Sequence, residues 1–249
     1  MNRENYLSEI FSETSLPVVY IDFDGTISKS DVIDRILETF ADPRWLEIEE
    51  EWVAGRIGSR ECLREQISLV RATDHELNEL IDTVEIDEGL SALLGTCRDS
   101  GMDVHIISDG FENYIRRMLA RSGLLTQFDS LKISANRLLP TGANTWRIEF
   151  PYYADVCTDG CATCKPAVMV RENDRSAPTI FIGDGLSDRF AAHKSDVVFA
   201  KSKLSDYCYE NKISQTSYTN LRQVAESLDE AFVSFVTSLY RERHWQTTT

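Results

Sequence analysis

Residues 17–26 read Pro-Val-Val-Tyr-Ile-Asp-Phe-Asp-Gly-Thr, an apolar run that ends in two carboxylates, a glycine and a threonine. A short continuous apolar run is typical of a strand that is buried on both faces of a parallel sheet. Asp22 and Asp24 therefore come at the carboxyl end of the predicted strand. Ligands of such sheets bind outside the carboxyl ends of the strands, so this pair of carboxylates marks the first candidate site.

Three later segments share this apolar character and predict strands at residues 102–108, 179–184 and 196–200. Helical patterns at residues 111–121 and 167–172 lie between the first and the second of them. Strands that alternate with helices predict an α/β fold, here a doubly wound, Rossmann-like parallel sheet.

A helical segment interrupts this alternation. Residues 30–86 show helical periodicity without a convincing strand, and they separate the first predicted strand from the second. We therefore predict a small α-helical cap domain at residues 30–86, inserted into a sheet domain of residues 1–29 and 87–249. Nearer the C-terminus, residues 131–135 and 146–150 flank a Pro-Thr-Gly sequence and predict a hairpin.

Three helix starts within the helical segment are predicted from their capping residues. Ser30 is the predicted N-cap of a helix that runs to Phe40, and Ser59 is that of a second helix. Thr73 and Glu76 have the spacing of a capping box, which predicts a third helix.

Charge and hydropathy narrow the classes of partner. The 249-residue chain has a formal net charge of -15, so its field repels nucleic acid and anionic membranes. The same charge opposes phosphorylated substrates, so a phosphate site needs local positive charge, which a divalent cation can supply. The N-terminus lacks the apolar core of a signal peptide, and no apolar run approaches the ~20 residues that span a bilayer. We expect a cytoplasmic protein that binds neither nucleic acid nor membranes, and no pattern indicates its oligomeric state.

A second candidate site element follows the second predicted strand. Ser108, Asp109 and Gly110 come where this strand ends and a helix is predicted to begin. A hydroxyl and free backbone N–H groups at a helix N-terminus form a natural cradle for phosphate. Taken alone, a serine and a glycine after a strand are more often a plain turn.

Lysine and further carboxylates complete the candidate set. Lys165 begins a helical pattern, where its charge could neutralise both a phosphate and a nucleophile, although a lone lysine is usually a surface residue. Asp184 ends the third predicted strand, and Asp188 follows one helical turn later. Hard carboxylate oxygens are the ligands that Mg²⁺ prefers.

The four elements occur in the order nucleophile, phosphate hydroxyl, lysine and metal carboxylates, and in this they resemble the haloacid dehalogenase superfamily. The similar motifs are Asp-Phe-Asp-Gly-Thr at residues 22–26, Ser108, Lys165 and Gly-Asp-Gly-Leu-Ser-Asp at residues 183–188. The resemblance implies a phosphatase in which Asp22 attacks phosphorus and Asp24 serves as acid and then as base. Because dehalogenases of this superfamily lack the second carboxylate, Asp24 favours phosphoryl transfer.

The resemblance also implies the ligands. Mg²⁺ would be held by Asp22, the carbonyl of Asp24 and Asp184, with Asp188 supporting it through water. The substrate would be a small phosphorylated metabolite. The resemblance gives phosphate binding to Thr26, Ser108 and Lys165, and the predicted helix N-terminus adds Asp109 and Gly110.

The helical segment looks like the cap of the phosphoserine phosphatase-like branch of this superfamily. Residues 42–45, 157–166 and 182–201 are similar to methionine-salvage phosphatases, which act on 2-hydroxy-3-keto-5-methylthiopentenyl-1-phosphate. Phosphoethanolamine and phosphocholine phosphatases share a less close pattern. Phosphoserine or phosphoethanolamine-like substrates, a phosphomutase or phosphotransferase, and a non-catalytic binding module remain as alternatives.

Two residues of the helical segment bear on the substrate. Asp31 lies where phosphoserine phosphatases carry a carboxylate that binds the substrate amino group, although it could equally be a polar residue of a first helical turn. Gln66 aligns with the arginine that binds the substrate carboxylate in those enzymes. Because an amide does not replace a bidentate arginine, Gln66 argues against phosphoserine.

Three of the six cysteines cluster at Cys157, Cys161 and Cys164. In a reducing compartment this distribution argues against a disulfide framework. A structural zinc site normally needs four ligands, and no histidine lies near these three. We interpret the cluster as packed or occasionally oxidised thiols beside the active site, with metal binding as the alternative. His105 lies within an apolar strand and is predicted to be a core residue rather than a catalytic one.

Overall fold

The computed structural model describes residue 7 and residues 10–12, 15–128, 131–173 and 175–246, with side chains up to residue 238. Its single sheet has seven strands in the order β4-β3-β2-β1-β5-β6-β7. Only the β3–β4 pair is antiparallel among these strands. The strands are β1 (Val18–Ile21), β2 (Asp103–Phe111), β3 (Lys132–Pro140), β4 (Trp146–Glu149), β5 (Thr179–Gly183), β6 (Val197–Ala200) and β7 (Thr216–Ser217).

Helices connect the parallel strands and fill the gap between β1 and β2. Within the described residues, no helix combines the length and the apolar character needed to cross a bilayer. The helices are α1 (Val32–Phe40), α2 (Trp45–Val53), α3 (Ser59–Ser68), α4 (Asp74–Thr83), α5 (Leu90–Asp99), α6 (Glu112–Arg121), α7 (Leu124–Gln127), α8 (Lys165–Glu172), α9 (Arg189–Ala192), α10 (Ser202–Glu210) and α11 (Leu221–Gln246).

Both faces of the sheet are buried. Along β1, Val19 and Ile21 belong to one apolar cluster and Tyr20 belongs to the other, as the period of two in a strand requires. The first cluster includes side chains of α5, α6 and α11, and the second includes side chains of α8, α9 and α10. This double coverage explains the continuous apolar runs of the sequence and confirms the predicted doubly wound α/β fold.

The centre of the sheet is the point where the strand order reverses. The chain passes from β1 to β2 on one side and later returns to β5 on the other side of β1. In a doubly wound sheet, the crevice at this switch point is where ligands bind. The predicted hairpin is also present, as the antiparallel pair of β3 and β4.

The helical segment, residues 30–86, contains α1 to α4. Two backbone segments that lie side by side connect it to the sheet. Lys29 N donates to Glu85 O over 2.9 Å, and Asp87 N donates to Ile27 O over 2.8 Å. The division into a cap at residues 30–86 and a sheet domain stays a prediction.

One predicted helix cap is wrong by one residue. Asp31, not Ser30, is the N-cap of α1, because its side chain accepts a hydrogen bond from Asp34 N. Both residue types are good N-caps, so local sequence could not separate them. The capping box of Thr73 and Glu76 is confirmed at the start of α4.

Ser59 is the first residue of α3 and not its cap, which is Gly58. The prediction failed because the Ser59 hydroxyl accepts a hydrogen bond from a distant backbone N–H, that of Ala162, over 3.0 Å. This contact ties α3 to the loop that precedes Lys165.

His105 is a core residue of β2, as predicted, and only 3% of it is exposed. Its Nε2 shares a hydrogen bond of 2.9 Å with Ser134 Oγ, while Nδ1 has no hydrogen-bond partner among the described residues. Burial lowers the pKa of His105 to about 4.

We predict that His105 makes the fold sensitive to mild acid. Its folded-state pKa is depressed, so the unfolded chain binds a proton below about pH 6.5 while the folded chain stays neutral until about pH 4. The free energy of unfolding should therefore fall by about 2 kcal/mol between pH 7 and pH 5 through this residue alone. Urea unfolding at both pH values should show a smaller fall for His105→Gln than for the wild type. An equal fall in the two proteins would contradict the assignment.

Candidate active site

Asp22 and Asp24 follow β1 on a tight turn. The backbone N–H of Asp22 continues the sheet by donating to Ile182 O over 2.9 Å, and its side chain is buried. The turn then reverses at Gly25, which has a φ of +75°. A Cβ on Gly25 would lie 2.4 Å from Asp184 Oδ2, so only glycine fits between the two carboxylate segments.

Asp24 is fixed through both of its oxygens. Oδ1 accepts a hydrogen bond from Val32 N at the start of α1 over 3.0 Å, and Oδ2 accepts one from Ser108 Oγ over 3.1 Å. Burial raises the pKa of Asp24 to about 6, against the lowering effect of these hydrogen bonds. A carboxyl with this pKa can both donate and accept a proton near neutral pH.

Lys165 lies at the centre of the site and not on the surface. It begins α8, only 1% of it is exposed, and its Nζ lies 2.5 Å from an oxygen of Asp22 and 2.5 Å from an oxygen of Asp188. Burial opposes its charge, but the carboxylates of Asp188, Asp22 and Asp109 raise the pKa of Lys165 above its usual value. The ammonium therefore stays protonated beside Asp22.

Three carboxylates converge at the same edge. Asp22, Asp184 and Asp188 each present an oxygen within 4.8 Å of the others. Thr26 Oγ1 donates to Asp184 Oδ1 over 2.9 Å. Asp188 Oδ2 accepts hydrogen bonds from the backbone N–H groups of Asp184 and Gly185 over 3.0 and 3.1 Å. These contacts fix the directions in which the carboxylate oxygens point.

This cluster carries more negative charge than positive charge. Three carboxylates surround one ammonium, and burial together with the charge of Asp188 raises the pKa values of Asp22 and Asp184, the latter to about 6. A divalent cation among these oxygens would lower both pKa values again, and hard oxygen donors are the ligands that suit Mg²⁺. The residues present therefore fit a magnesium ion.

The segment after the second predicted strand differs from its prediction. β2 continues through Gly110 to Phe111, and α6 begins only at Glu112. The N–H of Gly110 is already bonded to Ser108 Oγ over 2.8 Å. The strand is extended because Phe111 pairs with Asn136 of β3, a tertiary contact that overrides the turn tendency of glycine.

Asp109 and Ser108 are held from the opposite loop by a residue that the sequence did not identify. Thr163 N donates to Asp109 Oδ1 over 2.7 Å, and Thr163 Oγ1 donates to Ser108 O over 2.8 Å. Asn136 Nδ2 also donates to Asp109 O over 2.7 Å. The proximity of Thr163 to Lys165 in the sequence was the only available signal.

A cavity of about 590 Å³ opens between these residues and the helical segment. Asp22, Asp24 and Asp184 line it from the sheet edge. The helical segment contributes mainly polar and acidic side chains to the lining. Two of these, Asp34 and Glu49, were not predicted from the sequence. The lining residues from this segment are Ser30, Asp31, Ile33, Asp34, Glu49, Trp52, Ser59, Cys62, Leu63 and Gln66.

Both predicted specificity residues reach this cavity. Asp31 caps α1, and burial followed by the nearby charge of Asp24 raises the pKa of Asp31 well above its usual value. Gln66 is 1% exposed, and its Nε2 donates to Glu49 Oε2 over 2.9 Å. Asp31 is therefore both the N-cap of α1 and a residue that lines the cavity.

Comparison with known proteins identifies the family. The sequence profile of haloacid dehalogenase-like hydrolases matches residues 19–193, which include every carboxylate of the site and Lys165. The chain belongs to this family. The predicted resemblance and the predicted phosphatase class are both confirmed.

Among its relatives are enzymes named 2-hydroxy-3-keto-5-methylthiopentenyl-1-phosphate phosphatase. The one from Geobacillus thermodenitrificans (strain NG80-2) is 28% identical over 214 residues, which cover 85% of this chain and 94% of the relative. The one from Bacillus pumilus (strain SAFR-032) is 27% identical over 237 residues, which cover 93% and 95%.

Solved structures show the same fold. A phospho-aspartyl intermediate analogue of phosphoserine phosphatase superposes with a TM-score of 0.64 at 18% identity, covering 85% of this chain and 98% of that one. A substrate-bound phosphoserine phosphatase gives a TM-score of 0.64 at 17% identity, covering 84% and 97%. At this identity the likeness concerns the fold alone.

Proposed function

We propose that the chain is a Mg²⁺-dependent phosphomonoester hydrolase that works through an aspartyl-phosphate on Asp22. One observation carries this proposal. Asp22 contacts the Lys165 ammonium, presents an oxygen within 4.8 Å of oxygens of Asp184 and Asp188, and lines the 590 Å³ cavity together with Asp24. Phosphoryl transfer is mainly a problem of position and charge, and these residues supply both.

The metal site is proposed on the same residues. Asp22, Asp184 and the backbone carbonyl of Asp24 would hold Mg²⁺, with Asp188 supporting it through water. When bound, the ion neutralises negative charge on the phosphoryl group. Because Thr26 bonds to Asp184 Oδ1, Thr26 also orients the proposed metal ligand.

The chain's own residues then carry the chemistry. The Asp22 carboxylate attacks phosphorus, and the bond to the leaving oxygen breaks as Asp24 gives that oxygen a proton. Asp24, now a carboxylate, takes a proton from the water that attacks the aspartyl-phosphate. Inorganic phosphate leaves, and Asp22 is free again. The hydrogen bond from Val32 N keeps Asp24 near the leaving oxygen through both steps.

Phosphate binding is proposed for the residues around Asp22. Lys165 brings the positive charge, and Ser108, Thr26 and the N–H groups of Asp109 and Gly110 are the proposed donors. Ser108 Oγ and Thr26 Oγ1 now donate to Asp24 and Asp184, so each must redirect its proton toward a phosphate oxygen. The Gly110 N–H now donates to Ser108 Oγ and must likewise be released to bind phosphate.

The proposed substrate is 2-hydroxy-3-keto-5-methylthiopentenyl-1-phosphate, the compound named for relatives that align over most of this chain. The helical segment, proposed as a cap domain, would determine substrate specificity through the side chains that it contributes to the cavity. A second class is favoured by the acidic lining from Asp31, Asp34 and Glu49, which would attract an ammonium group. That class is the phosphate esters of amino alcohols, such as phosphoethanolamine and phosphocholine.

Phosphoserine fits this cavity less well. None of the described lining residues from the helical segment is a lysine or an arginine, and the Gln66 amide is already engaged by Glu49. The lysines that line the cavity, Lys29, Lys201 and Lys203, come from outside the helical segment. A substrate carboxylate bound against that segment would therefore meet its acidic side chains with no cationic partner from it. The other parts of the proposal are a cytoplasmic location and no role for nucleic acid or membranes.

A panel of phosphomonoesters tests the function. We predict release of inorganic phosphate with the highest kcat/KM for 2-hydroxy-3-keto-5-methylthiopentenyl-1-phosphate, followed by phosphoethanolamine and phosphocholine, with phosphoserine last. EDTA should abolish turnover, and added Mg²⁺ should restore it. A maximum for phosphoethanolamine would favour the second class, while a maximum for phosphoserine would contradict the argument from Gln66. Phosphate that remains on the product would indicate a mutase or transferase instead.

A further inference from the structure

Three cysteines precede Lys165 on a loop that the proposed hydrolysis does not use. This loop, residues 150–164, joins β4 to α8. Cys157 and Cys161 are partly exposed, and Cys164 is buried. Both other thiols lie near enough to Cys157 to affect its ionisation, so Cys157 lies at the centre of the cluster.

Cys157 is the member of the cluster that ionises most readily. Burial opposes its thiolate, but hydrogen bonds from the backbone N–H groups of Cys161 and Asp159 and from the two thiols lower the pKa of Cys157 below its usual value. Burial raises the pKa values of Cys161 and Cys164. Because the thiolate is the attacking species in thiol–disulfide exchange, Cys157 is the nucleophile and its neighbours are the resolving thiols.

The arrangement favours pairing of two sulfurs over metal binding by three. Among the described residues, the set of three ligand atoms that all lie within 4.8 Å of one another is that of Asp22, Asp184 and Asp188, and the three sulfurs do not form such a set. A closed structural zinc site would also need a fourth ligand.

Cys161 is the resolving thiol with access to solvent. It lines a cavity of about 320 Å³ between the loop and the helical segment. The residues on either side of Cys161 hold the start of α3, since Gly160 O accepts from Arg60 N over 2.9 Å and Ala162 N donates to Ser59 Oγ over 3.0 Å. A small molecule can therefore reach Cys161 from this cavity, and Cys157 is itself partly exposed. A shift of Cys161 would be transmitted to the helical segment through these hydrogen bonds.

The other end of the loop contacts the active site. Thr163 bonds to Asp109 and to the backbone of Ser108, and Lys165 follows two residues later. The loop thus connects the sulfur cluster to the helical segment on one side and to the phosphate-binding residues on the other.

We propose that Cys157 and Cys161 form a reversible exchange site for small-molecule disulfides such as oxidised glutathione, and that closing their disulfide lowers turnover. The effect on turnover rests on the proposed phosphatase function, while the exchange site stands on the sulfur cluster alone.

The exchange has two balanced steps. The Cys157 thiolate attacks one sulfur of the disulfide RSSR, which forms a mixed disulfide on Cys157 and releases RS⁻. The Cys161 thiol gives its proton to RS⁻ and, as a thiolate, attacks the Cys157 sulfur, forming the internal disulfide and releasing the second RS⁻. Two protein thiols are oxidised and one RSSR is reduced to two thiol molecules.

Disulfide closure changes the position of Cys161. An S–S bond of about 2.05 Å is much shorter than a hydrogen-bonded contact between two sulfurs. Cys161 must move toward Cys157 and take Gly160 and Ala162 with it, which strains their hydrogen bonds to Arg60 and Ser59. The helical segment then loses its fixed position above the cavity.

Thiol mapping of the full chain tests the site. After equilibration with oxidised and reduced glutathione at set ratios, alkylation and peptide mass spectrometry should find a disulfide between Cys157 and Cys161. Cys161→Ser should keep one glutathione on Cys157, and Cys157→Ser should form neither product. As a control, Cys208→Ser replaces a buried cysteine far from the loop in sequence, and it should give the same products as the wild type.

Activity measurements test the coupling. Oxidised glutathione should lower kcat/KM of the wild type by about threefold or more, and dithiothreitol should restore it. Cys157→Ser should keep the activity of the reduced protein and lose this response. Turnover that stays unchanged after the disulfide has formed would overturn the coupling.

Other outcomes would overturn the site itself. These are a disulfide between Cys157 and Cys164, free thiols at every glutathione ratio, and one zinc ion per chain in protein purified without chelators. Because the mapping uses no substrate, an inactive enzyme would still report on the site, so failure of the proposed function would be distinguishable.

Discussion

Asp22→Asn is expected to lower kcat/KM for the best phosphomonoester by a factor on the order of 10⁴ or more, because it removes the only proposed nucleophile. The substitution is nearly isosteric. The amide oxygen can still accept from Lys165 Nζ, and one of the converging negative charges is lost. The fold should therefore remain intact, with the free energy of unfolding within about 1 kcal/mol of the wild type in EDTA.

The matched control is Asp206→Asn, which removes the same charge at an exposed position of α10. It should keep full activity. An acid quench during turnover of a substrate labelled in its phosphate should leave label on the peptide that contains Asp22 in the wild type and in the control. Residual activity of Asp22→Asn within tenfold of the wild type, or label on another peptide, would contradict the mechanism.

The sequence predicted the sheet edge well because its signals are local. A parallel strand buried on both faces must be a continuous apolar run, and β1 and β5 are both of this kind. Polar residues directly after such strands reach one edge of the sheet whatever the rest of the chain does. For this reason Asp22, Asp24 and Asp184 could be placed together before any contact was known.

Contacts between distant segments could not be predicted in this way. Thr163 holds Asp109 across 54 positions of sequence, and Asn136 reaches the same residue from β3. Likewise, Asp34 and Glu49 line the cavity only because of how the helical segment docks on the sheet. Helix periodicity indicates which face is buried, but not which other segment covers it.

Local chemistry also left near-equivalent choices unresolved. Ser30 and Asp31 are adjacent and both favour the N-cap position, and the choice of Asp31 depends on where the chain leaves the turn after Asp24. Glycine favours turns, yet the pairing of β2 with β3 keeps Gly110 within the strand. In both cases tertiary contacts decided between local options of similar free energy.

Lys165→Met should affect both turnover and stability, because Lys165 is the cation between two buried carboxylates. Loss of one preorganised charge at a transferring phosphoryl group lowers kcat by a factor on the order of 10² to 10³. Removing the cation also leaves Asp22 and Asp188 without their ion pairs, and breaking a buried pair costs about 3 to 5 kcal/mol. Urea unfolding in EDTA and steady-state kinetics with Mg²⁺ measure the two effects separately.

Two comparison variants separate charge balance from catalysis. Lys194→Met removes the same charge at an exposed position and should change neither quantity. Adding Asp188→Asn to Lys165→Met removes one of the unpaired buried charges, and the amide oxygen can still accept from the N–H groups of Asp184 and Gly185. The double variant should regain more than half of the lost stability and none of the lost turnover. If Lys165→Met were as stable as the wild type, the ammonium would not be needed to offset repulsion between the buried carboxylates. If the double variant recovered turnover, Lys165 would have no role in the reaction.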